Sequence, residues 1–476
     1  MAQPANLVSL PSQGGLNTAS PATYLQPDEL RVADNLYYGQ SGERRKRAGT
    51  AVYTATATMF VGTSSASVSA LHDHWRYGAS LVPTQRFLAT STGGIFSHTG
   101  STAPWATVSA TWGSTGGLTT NIISAQGFSV LSNGADAPVK WDQTTLSLVS
   151  SSSGLPTFTA ATYHLRRLFA IGTAANPSRV DISAGGDITT WTGADTGNFV
   201  LDEDDGDATV GISKTFHKRI YIFKGPQFGS IHELAGNTLG ALTRDRVFNG
   251  LALQNHKGLV TANNDIYWIS RFGIHSLQTT QKYGDTEAAF LSLPIQDLWN
   301  KSLLNLSLLG QSVGFWHPQL NIVGWLVAPA GQTANQWALI FHYLISDPAS
   351  RGKKFWSLWK FNGLQPGASM VGLTPAAMVN GSAPRLYLGG TGDGLVYAGD
   401  QTVLTDAQGS AYTATARTGI LLNLGQGMDA LSEKQFLSVA IFFEPVGAYT
   451  HNLDVTIDNR VQSQTITMAG FGDTLG

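Results

Sequence analysis

Short runs of consecutive apolar residues, each followed by a Gly-containing polar turn and a second apolar run, recur along the chain. In KRIYIFKGPQFGSIHEL, residues 218 to 234, the runs IYIF and SIHEL flank a turn holding Gly225, Pro226 and Gly229. The same unit appears as RFLATSTGGIFSHT from Arg86, FSVLSNGADAPVKWD from Phe128 and RRLFAIGTAANPSRVDIS from Arg166. It returns as DIYWISRFGIHSL from Asp265, LNIVGWLVAPAGQTANQWALIFHYLI from Leu320 and RLYLGGTGDGLVYAGD from Arg385, which makes seven copies. Their starts lie roughly 38 to 65 residues apart, a spacing that brackets the 40 to 50 or so of a four-stranded propeller blade. Runs such as IYIF and LFAI are apolar at consecutive positions, as strands covered on both faces must be, whereas a sheet covered on one face alternates.

The linkers between copies are rich in Ser, Thr, Gly and Asn and carry few helix signals, which suits outer strands and surface loops. The pattern therefore predicts an all-β chain built as a β-propeller of six or seven blades over residues 51–415. An N-terminal extended segment, 1–50, precedes it as an anchor or closing strand, and β-strands over 416–476 close or decorate it. A β-sandwich or a pair of barrels is the competing architecture, in which hairpins recur without a fixed period. One segment breaks the strand pattern: from Pro294, PIQDLWNKSLLNLS places Ile295, Leu298, Trp299, Leu303 and Leu306 on one helical face, predicting one or two helical turns on the propeller side.

Composition sharpens this picture. Charged residues make up 13% of the 476, about half the usual share of roughly 25%, while Gly numbers 53 and aromatics reach 10%. A surface this poor in charge is made of Ser, Thr, Asn and Gly, or is covered in part by neighbouring subunits. A net charge of -2 gives no global attraction to nucleic acid or to an anionic membrane. With no cysteine, disulfides, thiol catalysis and cysteine-ligated zinc are excluded. The start, MAQPANLVSLPSQGG, has neither the basic nor the apolar part of a signal peptide, and nowhere do eighteen apolar residues run together, so the expectation is a soluble protein with no membrane-spanning segment.

Several stretches resemble the β-propeller tail proteins of short-tailed bacteriophages, of the tail nozzle or tail tube component B type. They are GGLNTASPATYLQPDELRVADNLYYGQSGERRKRAGT, PVKWD at 138, RRLFAIGTAANPSRVDISAGGDITTW at 166, IYIFKGPQFGSIHEL at 220 and IYWISRFGIHSL at 266. The resemblance spans roughly residues 14 to 405 and its motifs are structural, none of them a catalytic signature. It implies a non-enzymatic virion component, a homo-oligomer of hexameric form, made in the host bacterial cytoplasm. Its place would be below the portal and adaptor and beside tail fibres or spikes, forming the distal channel through which genomic DNA leaves. The region from about Ala416, with GILLNL, FLSVAIFFEP and LDVTIDNRV, matches nothing in that family.

No cofactor is expected, and no catalytic residue. GERRKRAGT holds the densest basic patch, Arg44, Arg45, Lys46 and Arg47, which suits an interface with an acidic face of a neighbouring subunit. A solvated turn and a grip on DNA phosphates are the other readings, the last disfavoured because an exit channel should not hold phosphates tightly. LDEDDGD gathers Asp202, Glu203, Asp204, Asp205 and Asp207. The EF-hand register fails there, since with Gly206 as the invariant glycine the first ligand position falls on Leu201. An exposed acidic rim is the expectation, and in a DNA channel it would line the wall and repel the backbone. HDH puts His72 and His74 on one side of a strand with no third ligand in view, which reads as packed or hydrogen-bonded histidines. GQSVG at 310 to 314 matches the nucleophile-elbow pattern around Ser312, with His317 close behind, but FWHPQLNIVGW continues as strand where the elbow needs a helix. GGTGDG at 389 to 394 precedes a strand and so reads as a hairpin turn. SAGGDITTW is similar to the Asp-box of propeller sialidases but has Gly185 and Asp187 exchanged.

The alternatives to a structural tail protein are a polysaccharide-cleaving propeller and a receptor-binding lectin. The first needs two carboxylates facing one pocket, and acids outside the DEDDGD loop are sparse. The second would use exposed Trp and Tyr as stacking platforms, for which twelve Trp are available, although Trp268 and Trp325 sit in strand runs and read as core.

Overall fold

In the computed structural model the described residues are 15–26, 28–39, 43–53, 60–77, 83–99, 104–113, 120–150, 155, 157–279, 286–344, 354–373, 383–400, 403, 405–418, 449–457 and 460–468. The runs GILLNL and FLSVAIFFEP and the first fourteen residues lie outside them.

Four strands come first: β1 (Leu30–Asp34), β2 (Leu36–Tyr38), β3 (Arg44–Lys46) and β4 (Gly49–Val52). Six blades follow in chain order. Blade 1 is β5 (Val68–Tyr77), β6 (Pro83–Ser91), β7 (Gly94–His98) and β8 (Ala106–Ser109). Blade 2 is β9 (Asn121–Ala125), β10 (Phe128–Ser132), β11 (Val139–Trp141) and β12 (Leu146–Leu148). Blade 3 is β13 (Ala160–His164), β14 (Arg167–Thr173), β15 (Asn176–Ile182) and β16 (Gly197–Val200). Blade 4 is β17 (Ala208–Ile212), β18 (Ile220–Gly225), β19 (Ser230–Ala235) and β20 (Thr243–Asn249). Blade 5 is β21 (Leu259–Ala262), β22 (Asp265–Ile269), β23 (Ile274–Thr279) and β24 (Thr286–Phe290). Blade 6 is β25 (Val313–His317), β26 (Ile322–Val327), β27 (Trp337–His342) and β28 (Phe355–Lys360).

The seventh blade is β29 (Pro366–Gly372), β30 (Arg385–Gly390) and β31 (Val396–Asp400), completed by β4 from the other end of the chain, with Val52 opposite Tyr397 and Gly49 opposite Asp400. The chain is thus an all-β, seven-bladed propeller. The innermost strands touch in ring order from β5 round to β29, which returns to β5, the step from β17 to β21 being made by the 3-10 turn His256–Gly258. All seven repeat units read from the sequence are the second and third strands of their blades.

The both-faced burial of those strands has a direct structural cause. In IYIF, Ile220 and Ile222 pack toward blade 3 with Phe169 and Ile171, while Tyr221 and Phe223 pack toward blade 5 with Ile266 and Trp268. In blade 1, Phe87 and Ala89 face blade 7 and Leu88 faces blade 2. Each side chain of this size contributes about 1.5–3 kcal/mol by leaving water. At the turn of blade 4, Gly229 has φ +72° and an added Cβ would lie 2.1 Å from the Ala252 Cα, so only glycine fits.

Blade 6 does not end at four strands. β1 lies parallel to β28, and β34 (Thr415–Thr418) pairs antiparallel with β1, giving a six-stranded sheet. Before it, β32 (Thr405–Asp406) and β33 (Ser410–Ala411) form a small hairpin, as do β2 and β3. Closure therefore falls to the N-terminal β4, while Ala416, Arg417 and Thr418 of the C-terminal stretch add to blade 6.

The segment from Pro294 folds as a 3-10 turn, Leu293–Ile295, followed by α1 (Asp297–Asn300) and a second 3-10 turn, Leu306–Gln311. The single helical face breaks at Ser302, whose φ is +51°. Ile295, Leu298 and Trp299 are buried as predicted, but Leu304 and Leu309 take the places expected for the exposed Leu303 and Leu306. Residues 1–421 form one unit and 422–476 another, the latter holding the hairpin β35 (Tyr449–Ile457) and β36 (Arg460–Met468). No helix among the described residues is long and apolar enough to cross a membrane.

Candidate functional site

The basic run lies on β3 and the two residues after it. Arg45 is exposed and pairs with Glu43 at 3.1 Å, and Lys46 stands 4.2 Å over the Tyr412 ring. Arg44 donates to the Asp28 carbonyl. Arg47 behaves differently, being buried at 2% exposure with all five guanidinium donors used inside the protein. Nε donates to Asn35 Oδ1 at 3.0 Å, Nη1 to the Ala48 carbonyl at 2.9 Å and to Asp406 Oδ1 at 2.8 Å. Nη2 donates to the Lys360 carbonyl at 3.0 Å and to Asp406 Oδ2. Its Cζ lies 3.9 Å from the Tyr412 ring centre and 5.0 Å from that of Phe361. Asp406 in turn accepts from Thr50 Oγ1 and the Asn362 amide. The expectation of an intersubunit role for Arg47 is thus overturned: a guanidinium with no donor to spare and no exposed face joins the entry to β4, the end of β28 and the β32–β33 hairpin of its own chain.

The acidic run links β16 to β17. Lys224, on β18 and wholly buried, donates to the Leu201 carbonyl, to the Asp202 carbonyl and to Asp205 Oδ1 at 2.9, 2.7 and 2.5 Å. Asp202 pairs with Arg246 at 3.1 Å. Asp207 is buried and accepts the backbone N–H groups of Gln227, Phe228 and Gly229 at 2.9, 2.9 and 2.6 Å, which fixes the β18–β19 turn. Asp202, Asp205 and Asp207 therefore bond outward, to β18, its turn and β20, and away from the propeller axis. Glu203 and Asp204 stay exposed, Glu203 within hydrogen-bonding distance of Asn176. No group of three metal-ligating side chains occurs among the described residues.

His72 Nε2 bonds Ser124 Oγ at 3.0 Å, and His74 Nδ1 bonds Ser129 Oγ at 2.7 Å beside Trp141, both partners lying on blade 2. Burial pushes both imidazoles down, His72 to about 3 and His74 to about 4. Ser312 is buried, its oxygen accepting from Asn255 Nδ2 at 3.1 Å, and it leads into β25 rather than a helix. His317 closes that strand, roughly 16 Å farther along, so no Ser–His pair forms. In GGTGDG, Gly392 and Gly394 have φ of +84° and +63° between β30 and β31, a hairpin turn. Asp187 accepts from Thr189 and Thr190 and shapes its own turn.

Sequence reasoning missed two features. Lys257, just before β21, donates to the Ser69 carbonyl of β5 and so crosses the axis from blade 5 to blade 1; no motif marks it. The other is β34, whose four residues are all exposed and whose outer side pairs with no strand among the described residues. Such an edge presents a row of backbone donors and acceptors to an added strand.

No protein-family model matches the chain, and no curated protein matches it. Among solved structures it is similar to the Neurospora crassa Pan2 WD40 domain, with 10% identity over 75% of this chain and 96% of that one and a TM-score of 0.43.

Proposed function

We propose that this chain is a structural, non-enzymatic component of a short-tailed phage tail, of the nozzle type, that works by assembling into a ring. The observation that carries the reading is the exposed edge of β34 outside a propeller already closed by its own N-terminal strand. The scaffold needs no partner to complete it, yet it offers backbone hydrogen bonds to one. A heterologous edge contact repeated round a closing rotation gives a ring. The resemblance of residues 14 to 405 to nozzle proteins supplies the setting, namely the virion, its adaptor-side neighbours and the passage of genomic DNA. In that setting DNA runs along the ring axis between copies, because Lys257 crosses each propeller's own axis.

Arg45 and Lys46, exposed on β3, are the part of the basic run available to a neighbour, and Glu203 and Asp204 are the part of the acidic run. Native mass measurement of the purified protein, alone and with virion partners, tests the reading. A ring of several copies is the expected result. A stable monomer that binds or cleaves host polysaccharide, followed by pull-down and by a reducing-sugar assay, would replace it with a lectin or a glycosidase.

A further inference from the structure

At one mouth of the propeller axis lies a cavity of about 370 Å³, walled by the starts of β9, β13 and β17 and by the segment leading into β21. That volume suits a small molecule and is far too small for a duplex. Its polar lining includes Thr120, Asn121, Thr159, Thr209, His256 and Lys257, and no carboxylate takes part. The Asp207 side chain, next in sequence to this wall, is turned away into the blade 4 turn.

Donors converge on it from different blades. Lys257 reaches across to Ser69 on β5 and has two further donors. His256 Nδ1 accepts from the Ile212 N–H at 3.3 Å, so its proton is on Nε2, a donor. Asn121 Nδ2 is a buried donor with no partner among the described residues. Burial brings Lys257 down to about 8 with no acid beside it, a cost that a bound anion would relieve.

We infer that this axial cavity binds a small oxyanion of the phosphate class, held by Lys257 with the Asn121 amide and the His256 Nε2–H as further donors. Hydroxyl, amide and ammonium donors with no carboxylate are the chemistry that receives phosphate oxygens. The inference does not rest on the assembly reading, since the isolated chain suffices to test it.

The experiment is calorimetric titration of the full chain with inorganic phosphate at constant ionic strength, with chloride as control and a short single-stranded oligonucleotide as a third arm. Phosphate should bind one site per chain, and Lys257→Met and Asn121→Ala should each weaken it about tenfold. If Lys257→Met does not fold, Asn121→Ala decides alone, because the Asn121 Nδ2 makes no hydrogen bond among the described residues. Binding no stronger than chloride, wild-type affinity in a folded variant, or an oligonucleotide bound as tightly as phosphate through the same side chains would each overturn the assignment.

Discussion

The basic run at 44–47 and the acidic run at 202–207 have similar lengths and opposite signs, and both divide in the same way. In each, the charged residue nearest the following strand is folded in, Arg47 ahead of β4 and Asp207 ahead of β17, while the middle of the run stays on the surface. Arg47 joins segments 359 residues apart in sequence. Asp207 fixes a turn some twenty residues away. A run of like charge is therefore two things at once: a solvated stretch, and a final group that burial will tolerate only with every hydrogen bond supplied.

The largest effect should come from the long-range end. Arg47→Met leaves Asp406 buried and unpaired, and we expect a loss of about 3–5 kcal/mol in urea unfolding. Pairing it with Asp406→Leu should recover much of that, because the uncompensated charge is then gone. Arg47→Lys should not rescue, since an ammonium has three donors and cannot reproduce the planar fork that serves Asn35, Ala48, Lys360 and Asp406. Equal losses in the single and double variants would show that packing between Tyr412 and Phe361 matters more than the ion pair.

The short-range end should cost less. Asp207→Ala removes the acceptor of three backbone N–H groups, for an expected loss of about 2–3 kcal/mol, and the Phe228 turn should exchange its amide protons faster while the far blades keep their protection. A uniform gain in exchange over all seven blades would instead mean that the turn governs the whole ring.

What the sequence made legible follows from where water can reach. The second and third strands of every blade are covered on both sides, so IYIF, LFAI and IYWI announce themselves, and all seven were found. The innermost strands face the axis and the outermost face solvent, so NIISA and ATVS carry only partial patterns. Which end of the chain closes the seventh blade, the N-terminal segment or the strands after 416, could not be read, because its fourth strand, GTAV, stands about 350 residues from its partner β31 and nothing local marks the pairing. The buried fate of Arg47 depended on Asp406 and Tyr412 for the same reason, and Lys257 carried no motif at all.

Acidity separates the buried ends of the two runs from the neutral histidines of the interior. His342, buried and bonded to Ser357 Oγ at 3.0 Å, is pushed down to about 3 by burial, so the folded chain resists the proton that the unfolded chain accepts below about 6.5. Its contribution is complete above that pH and is lost as pH falls from about 6.5 toward 3, at about 1.4 kcal/mol per pH unit. Between pH 7 and pH 5, His342→Phe should therefore lose about 2 kcal/mol less than the parent in urea unfolding. Identical slopes would place the acid sensitivity elsewhere, and would mean that the charge-run variants need comparison at more than one pH.

The smallest effect on stability belongs to the middle of the acidic run, and there the comparison can be broken outright. Glu203 and Asp204 are exposed, and neither forms an ion pair among the described residues. Replacing both by Lys should change unfolding by about 0.5 kcal/mol or less, whereas Asp205→Lys next door would confront the buried Lys224 ammonium with a second cation. Because the exposed pair contributes so little to folding, any larger change it produces must come from another molecule. Ring formation measured by native mass at low and at moderate salt isolates that term, since screening over about 8–10 Å weakens contacts between surface charges and leaves buried pairs largely untouched. A ring that loosens with the double replacement and with salt would make this surface an electrostatic contact between copies. A ring indifferent to both would leave assembly to the backbone edge of β34, with the acids serving only to keep the blade 4 loop in water.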